Sequence, residues 1–418
     1  MESSALHSWE SIRFFTTCTP FTRPFQLESN VIEHINTAEE NALHACRNRI
    51  TCYEHSLLNG RNWEYYKKVV NPFELVYTQK KYQNFPESIC LLKPLSRSYF
   101  KMVEMVDLIG FYRLFPGEAI RTAHVCEGPG GFIEALVEEA AHQHRTIQSS
   151  VAMTLKSQKT NIPGWKRASY FLQKNKNIRI IFGEDDTGDI MKAENQQYFI
   201  DYALHPEYGG KVHMYTADGG FDFSCDYLKQ EQMAFPLLLA SARIGLEVLN
   251  IGGIFILKLF DFYHPSTIDL VYFLSHFFEE WTLYKPGMSR PCNPEHYYIG
   301  KGFMGCTEEQ LDVLRLWCSI VENHQPLDSL MKQNEESCEP FYACLAELRK
   351  KSFTIQTEYL ERVFDMIEKD NDEIIQSYLM NNERTSYEWC VRFNVPMWER
   401  RCRSIEESHN GLPVSSPQ

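Results

Sequence analysis

From Val125 onward the chain alternates short apolar runs with helical stretches, and this alternation limits the folds open to it more than any other feature. The runs lie at Val125, Val151 to Thr154, Ile178 to Phe182, Val212 to Ala217, Ile254 to Leu257 and Tyr297 to Ile299. Strands separated by helices argue for a doubly wound, mainly parallel α/β sheet, because a parallel pair needs a crossover long enough to hold a helix. In open sheets of this kind ligands sit beyond the C-terminal ends of the strands. Glu127, Asp218 and Lys258 each fall at or just after such an end.

The stretch His124-Val125-Cys126-Glu127-Gly128-Pro129-Gly130-Gly131-Phe132 reads as a strand entering a glycine turn, with a helical run from Ile133 to Ala141 behind it. Such a turn sets backbone N–H groups and a helix N-terminus beside a ligand, and glycine permits close approach. Alone it suits many nucleotide-binding folds, nicotinamide oxidoreductases among them. Four other stretches narrow the choice: Ser98-Tyr99-Phe100-Lys101, Thr216-Ala217-Asp218-Gly219-Gly220, Ile256-Leu257-Lys258 and Asn293-Pro294-Glu295-His296-Tyr297. They space a lysine, an aspartate, a lysine and a glutamate along the αβ region. A lysine becomes a general base only when burial or a neighbouring cation lowers its pKa, whereas carboxylates beside it push the other way. Taken singly, Lys101 and Glu295 read equally as surface side chains and Asp218 as turn chemistry. Lys258 follows Ile254-Phe255-Ile256-Leu257, a run that reads as a buried strand.

At 418 residues the chain can bury a full core and carry one large domain with a smaller appendage. The most apolar region, Ala234 to Phe260, is interrupted by Arg243, Glu247 and Gly252-Gly253, so no membrane span is expected, and the N-terminus lacks the look of a signal peptide. Thirteen cysteines without a Cys-x-x-Cys pair indicate neither a zinc site nor a disulfide framework, and point to a reducing compartment. The net charge of −13 argues against gripping long nucleic acid by charge alone. From Cys306 to Gln418, however, 21 Asp+Glu stand against 12 Lys+Arg, a local −9 that leaves −4 for the rest, so a local basic groove stays open.

The flanks read as helical. Residues 1 to about 70 are expected to be mostly helical after a ragged start, with a mixed helical pattern from Val31 to Leu58. A second helical stretch, Leu75 to Leu114, is expected to hold Lys101, with Met102, Met105, Val106 and Ile109 forming its apolar stripe and Lys101 and Glu104 on another side. After Phe303, Thr307-Glu308-Glu309-Gln310 has capping-box spacing, and helices are expected over Phe341 to Lys351, Glu358 to Glu368 and Glu373 to Leu379, with a disordered tail after Ser408.

The chain resembles the FtsJ/RrmJ-like RNA ribose 2′-O-methyltransferases, and within them the Adrift-type mRNA cap methyltransferases. The resemblance runs from about Asn71 to Phe303 through Asn71-Pro72-Phe73-Glu74, Ser96-Arg97-Ser98-Tyr99-Phe100-Lys101-Met102, Glu127-Gly128-Pro129-Gly130-Gly131-Phe132, Met153-Thr154-Leu155-Lys156, Thr187-Gly188-Asp189-Ile190, Ala217-Asp218-Gly219-Gly220-Phe221, Leu257-Lys258, Lys285-Pro286 and Ser289-Arg290-Pro291. It implies a Rossmann-like S-adenosylmethionine-dependent methyltransferase sheet with helical N- and C-terminal additions. The corresponding divisions are a helical region over 1–70, a methyltransferase domain over 71–305, an acidic helical region over 306–408 and a tail over 409–418.

The same resemblance assigns Lys258 as general base, Lys101 as the neighbouring cation, and Asp218 and Glu295 as the groups orienting the amines. It implies S-adenosylmethionine as cofactor, with Gly128, Gly130 and Phe132 around its amino-acid end, Thr154 on the second strand, Asp189 near the adenine, and Asp218 shared with the catalytic set. Glu127 and Phe132 stand where many bacterial relatives carry aspartate and tryptophan, changes that cap-type relatives tolerate. The implied substrate is capped mRNA, methylated on the first or second transcribed nucleotide, in the nucleus or cytoplasm (the infected-cell cytoplasm or virion for a viral protein). Lys156, Lys229 and Arg290 are candidate phosphate contacts, Arg290 alternatively a holder of the loop before Glu295; Cys126 reads as packing. A ribosomal or transfer RNA ribose methyltransferase and a cap-binding subunit with reduced activity are the alternatives. The C-terminal helices are a candidate surface for a protein partner.

Overall fold

The computed structural model, which describes residues 14–16, 37–78, 85–117, 119–156, 164–208, 210–220, 229–322 and 335–398, turns every one of the six apolar runs into a strand. In chain order the elements are β1 (Phe15–Thr16), α1 (Ala38–Tyr53), β2 (Leu57–Leu58), β3 (Arg61–Asn62), α2 (Trp63–Val69), α3 (Ser98–Ile109) and α4 (Phe111–Leu114). The αβ alternation follows with β4 (Ile120–Val125), α5 (Gly131–His142), β5 (Ile147–Met153), α6 (Ser169–Lys174), β6 (Ile178–Ile181), α7 (Ala193–Leu204) and β7 (Val212–Ala217). It continues through α8 (Gln230–Val248), β8 (Leu249–Phe260), α9 (Pro265–Ser275), β9 (Phe278–Tyr284) and β10 (Glu295–Phe303). Three helices close the described chain: α10 (Glu308–Glu322), α11 (Glu335–Lys369) and α12 (Asp372–Arg392).

Eight strands make one sheet in the order β1-β9-β10-β8-β7-β4-β5-β6. Strands β4 to β8 pair in parallel, while β10, β9 and β1 run antiparallel, so the parallel part ends at β8. The register aligns Val125 with Met153 and Ala217, and Ala217 with Leu257. The next residues, Cys126, Thr154, Asp218 and Lys258, therefore emerge along one edge. Parallel strands buried on both faces need apolar side chains on both, which is why β7 is buried throughout. One face packs against α7, α8 and α9 through Phe199, Leu238, Ile244 and Phe273; the other packs against α3 and α5 through Phe100, Met105, Phe132 and Leu136. Among the described residues no helix is long and apolar enough to cross a membrane.

The flanking helices form a third apolar cluster in which Leu43 and Ile50 of α1 and Trp63 and Tyr66 of α2 pack with Phe353, Val363 and Phe364 of α11 and Leu379 of α12. The capping box at α10 is present: Thr307 and Gln310 exchange backbone-to-side-chain bonds of 2.8 and 3.3 Å. Elsewhere the flanks depart from expectation. Within Val31 to Leu58 the helix is α1, residues 31–36 lie outside the described chain, and Leu57–Leu58 pairs with Arg61–Asn62 as a hairpin. Among the described residues from Leu75 to Leu114, helix begins only at Ser98. Residues 85–97 form an irregular strap, because Pro86 and Pro94 cannot donate helical bonds and the strap pairs instead with the C-terminal segment at Cys90 and Met397. The two segments expected over Phe341 to Lys351 and Glu358 to Glu368 are one helix, α11. Its β-branched Thr354, Ile355 and Thr357 disfavour helix by only tenths of a kcal/mol each, against the burial of Phe353, Tyr359 and Leu360. The segment expected to end at Leu379 continues to Arg392. The tail after Ser408 lies outside the described residues.

Candidate active site

Lys101 projects from the first turn of α3, Asp218 follows β7, and Lys258 and Glu295 lie on the antiparallel pair β8 and β10. These four residues, far apart in sequence, meet. Lys101 Nζ lies 2.6 Å from Glu295 Oε1, and Lys258 Nζ lies 3.4 Å from Asp218 Oδ1 and 3.6 Å from Glu295 Oε2. Each of the four side chains is 12–14% exposed, so the charges are largely desolvated yet reachable.

Tyr297 completes the group and was not singled out from the sequence. Its register partner is Lys258, its hydroxyl donates to Asp218 Oδ1 at 2.8 Å, and it accepts from Lys101 Nζ at 3.4 Å. The signal was available: in a strand starting at Glu295, residue 297 lies on the same face. Phe132, at the end of the glycine turn, is buried with its ring 5.9 Å from that of Tyr297, so it joins the turn to the lysine cluster rather than presenting a free face.

The electrostatics are set by competition. Burial pulls the Lys258 pKa down, but Asp218 and Glu295 outweigh it and the net shift is upward. Burial likewise opposes ionisation of Glu295, yet Lys101 and Lys258 hold its carboxyl well below the usual range. The lowered lysine is a different one. Burial brings Lys285, just after β9, to about 8 against the pull of Glu295, while its ammonium donates to the carbonyls of Asn293 and Glu295 at 2.6 and 2.9 Å. Lys285 thus fixes the backbone that delivers Glu295.

The glycine turn has the shape its sequence requires. Gly128 is joined to Pro129 by a cis peptide bond, and Gly130 has φ +104°, a conformation that favours glycine. A Cβ at Gly130 would come 3.1 Å from the Trp165 ring and 3.7 Å from Leu95. A Cβ at Gly131 would overlap the hydroxyls of Ser96 and Ser98 and reach the Tyr99 amide nitrogen at 2.9 Å. Opposite, a Cβ at Gly220 would meet the Phe260 ring at 2.8 Å. Cys126 is half-buried with its thiol pushed up to about 12 by burial and by Glu127, which suits packing rather than reaction. Glu127 is buried beneath the turn, its pKa raised by burial. It accepts from Thr216, its Oε2 lies 3.3 Å from His124 Nδ1, and among the described residues Oε2 makes no hydrogen bond.

Thr154 is buried at the end of β5, and Lys156 N–H donates to Thr187 at 2.7 Å, holding the loop of Asp189 against that strand. Asp189 is half-buried with Oδ1 accepting from Met191 N–H at 3.0 Å, while Asp185 is spent on Thr187, Asn195 and Lys192. Of the phosphate candidates, Lys156 pairs with Asp186 at 2.6 Å, Lys229 precedes α8, and Arg290 is held two-pronged by Glu74 at 3.1 and 3.2 Å. Glu104, expected on the side of α3 away from its packed stripe, is instead 1% exposed between α3 and the loop after β9. An apolar stripe alone does not reveal a buried carboxylate that satisfies several donors.

A glycine turn at the C-terminal edge of this sheet, beside a lysine and carboxylate cluster, defines a Rossmann-like methyltransferase. Residues 94–303, half of the chain, match the FtsJ-like methyltransferase family, and the chain belongs to that family. It is 33% identical over 195 residues to the cap-specific mRNA (nucleoside-2′-O-)-methyltransferase 1 of Danio rerio, covering 46% of this chain and 23% of that protein. The proteins of the same name from Dictyostelium discoideum and Homo sapiens are 28% and 30% identical, over 69% and 55% of this chain and 41% and 30% of theirs. The chain thus spans less than half the length of these relatives. Among solved structures, a ribosomal RNA methyltransferase from Plasmodium falciparum is similar at 18% identity and a TM-score of 0.35, over 51% of this chain and all of that one.

Proposed function

We propose that the chain carries an S-adenosylmethionine-dependent mRNA cap ribose 2′-O-methyltransferase activity, acting on the first or second transcribed nucleotide, in the nucleus or cytoplasm. The observation that carries this reading is the convergence of Lys101, Asp218, Lys258 and Glu295 beside a glycine turn. The cap-specific relatives support the substrate class. Residues 71–305 hold the whole of this cluster and the turn.

The residues fit the methyl donor. Gly130, at φ +104°, lets the backbone of the turn approach a ligand closely, and the Oε2 of Glu127, without a hydrogen bond among the described residues, suits an ammonium. Gly128, Gly130 and the backbone of Phe132 would hold the amino-acid end, Thr154 and Asp189 the nucleoside end. Bound there, S-adenosylmethionine supplies a methyl group on a sulfonium. Lys258 would take the ribose 2′-hydroxyl proton, leaving that oxygen free to accept the methyl group that the donor supplies. The upward pKa of Lys258 means that the amine must lose its own proton first, and a sulfonium nearby favours that loss by disfavouring a second cation. Glu295 and Asp218 aim the two ammonium groups, and Tyr297 holds Asp218.

The test is transfer of labelled methyl to matched capped and uncapped RNAs, with the modified ribose mapped by nuclease digestion. Cap-dependent label on the first or second ribose is expected. Label on internal ribose of uncapped RNA would move the reading to a ribosomal or transfer RNA enzyme.

A further inference from the structure

Between Glu139 and Glu184 the sequence holds eight Lys and Arg and no Asp or Glu, in a chain whose net charge is −13. Three of the eight, Lys166, Arg167 and Lys174, lie on α6 and the short helical turn before it, Trp165–Ala168, and Lys176 follows two residues after α6. Lys166, Arg167, Lys174 and Lys176 are exposed, and none forms an ion pair with another described residue. Tyr170 stands among them 67% exposed, with Lys174 Nζ 4.5 Å from its ring centroid. The inner side of the same element is apolar: Trp165, Phe171 and Leu172 pack against Ile133 and Val137 of α5. Carboxylates on α5 are engaged elsewhere, Glu134 by the Leu95 amide at 2.7 Å and Glu138 by the Tyr99 hydroxyl at 2.6 Å.

The patch is continuous with the candidate active site. Trp165, its first residue, lies over Gly130, and its buried indole nitrogen has no hydrogen-bond partner among the described residues. From there the turn and α6 extend ~15 Å across the surface at about 1.5 Å per residue. A single strand of nucleic acid is held by cations that follow its phosphates and by aromatic faces on which bases stack. A duplex offers no unstacked base to Tyr170, whereas a single strand offers both bases for the ring and phosphates for the cations around it.

We propose that Lys166, Arg167, Tyr170, Lys174 and Lys176 form the track for the single-stranded RNA that leaves the active site on the side of the glycine turn. The proposal rests on the RNA methyltransferase reading for its direction, and it supplies what the acidic composition left open: affinity for the RNA body comes from this patch while the catalytic cluster acts on one ribose.

The test replaces Lys166, Arg167, Lys174 and Lys176 together by alanine, and separately Tyr170→Ala, in the full chain. Binding of a labelled single-stranded RNA of about 20 nucleotides is measured by anisotropy over a salt series, beside methyl transfer to that RNA and to a capped trinucleotide. The quadruple variant is expected to lose roughly tenfold or more in affinity for the long RNA, and its log affinity against log salt to flatten by about 0.7 for each phosphate no longer neutralised. KM for the capped trinucleotide and kcat should not change, and Tyr170→Ala should weaken long-RNA binding by about tenfold while leaving the salt slope alone. Unchanged long-RNA affinity in the quadruple variant overturns the proposal whether or not methyl transfer occurs. So does loss of polyglutamate binding with RNA affinity intact, which would assign the patch to an acidic protein segment. Should the quadruple variant not fold, wild-type long-RNA binding that fails to exceed trinucleotide binding at low salt overturns it. Failure of the wild type to methylate capped RNA bears on the enzymatic reading alone, because the binding measurement needs no turnover.

Discussion

Glu104 of α3 accepts the indole N–H of Trp389 of α12 at 2.8 Å. The same carboxylate takes the Tyr284 hydroxyl at 2.7 Å and the amides of Gly287 and Met288 at 2.7 and 2.9 Å. It therefore joins the helix that carries Lys101, the loop that leads to Glu295 and the C-terminal helix. Those are the supports of both members of the 2.6 Å Lys101 and Glu295 pair.

Trp389→Phe keeps most of the buried ring and removes one donor to Glu104. A hydrogen bond to a charged group contributes about 1.5–3 kcal/mol, so a loss of stability of that order is expected in urea unfolding. A variant as stable as the parent would show that the indole bond carries none of this brace.

Burial raises the Glu104 pKa to about 7, against the pull of its four donors. A carboxyl raised on folding binds protons that the unfolded chain releases, so its favourable contribution is full below the ordinary glutamate range and lost as pH rises through about 7. Glu104→Gln should flatten the fall in stability over this window, read as melting temperature against pH. Glu134, also raised to about 7, retains its share of the slope in the variant.

Lys258→Ala should lower kcat for methyl transfer by about 10²–10⁴, the usual worth of a positioned base, with cofactor affinity unchanged by calorimetry. Since the shift of Lys258 is upward, the parent's kcat/KM should climb with pH through neutrality and level only in the alkaline range. Tyr297→Phe frees an oxygen of Asp218 to hold the ammonium more tightly, and should move that limb to higher pH. A flat profile in the parent would remove lysine deprotonation from the rate.

Arg47 of α1 pairs with Asp261, just past β8, at 2.7 Å, and both are buried. It also donates to Gln356 of α11 at 2.9 Å. Arg47→Met strands the Asp261 carboxylate and should cost about 3–5 kcal/mol, whereas adding Asp261→Asn should recover much of it. Equal stability of the single and double variants in guanidinium unfolding would mean that the pair does not couple α1 to the strand that bears Lys258.

The parallel strands were legible because burial on both faces leaves an unbroken apolar signature, as in Val212 to Ala217. The antiparallel β9 was not, since Glu279 and Glu280 break its pattern at the exposed end. The identities of Lys101, Asp218, Lys258 and Glu295 could be read from their family strings, and the structure brings the four together. The sign of the Lys258 shift could not be read: it depends on ångström distances to two carboxylates, and the same letters at greater separation would let burial win. Helical periodicity sorts residues by polarity and so sends Glu104 outward, whereas a carboxylate with four donors behaves as an interior group.

Gly131 presses against Ser96, Ser98 and Tyr99, so the floor of the turn and the first coil of α3 touch without an intervening side chain. A side chain at position 131 would have to push the turn away from the start of α3, which carries Lys101 two residues beyond Tyr99, so the spacing between the turn and that ammonium is set by the absence of a single carbon atom.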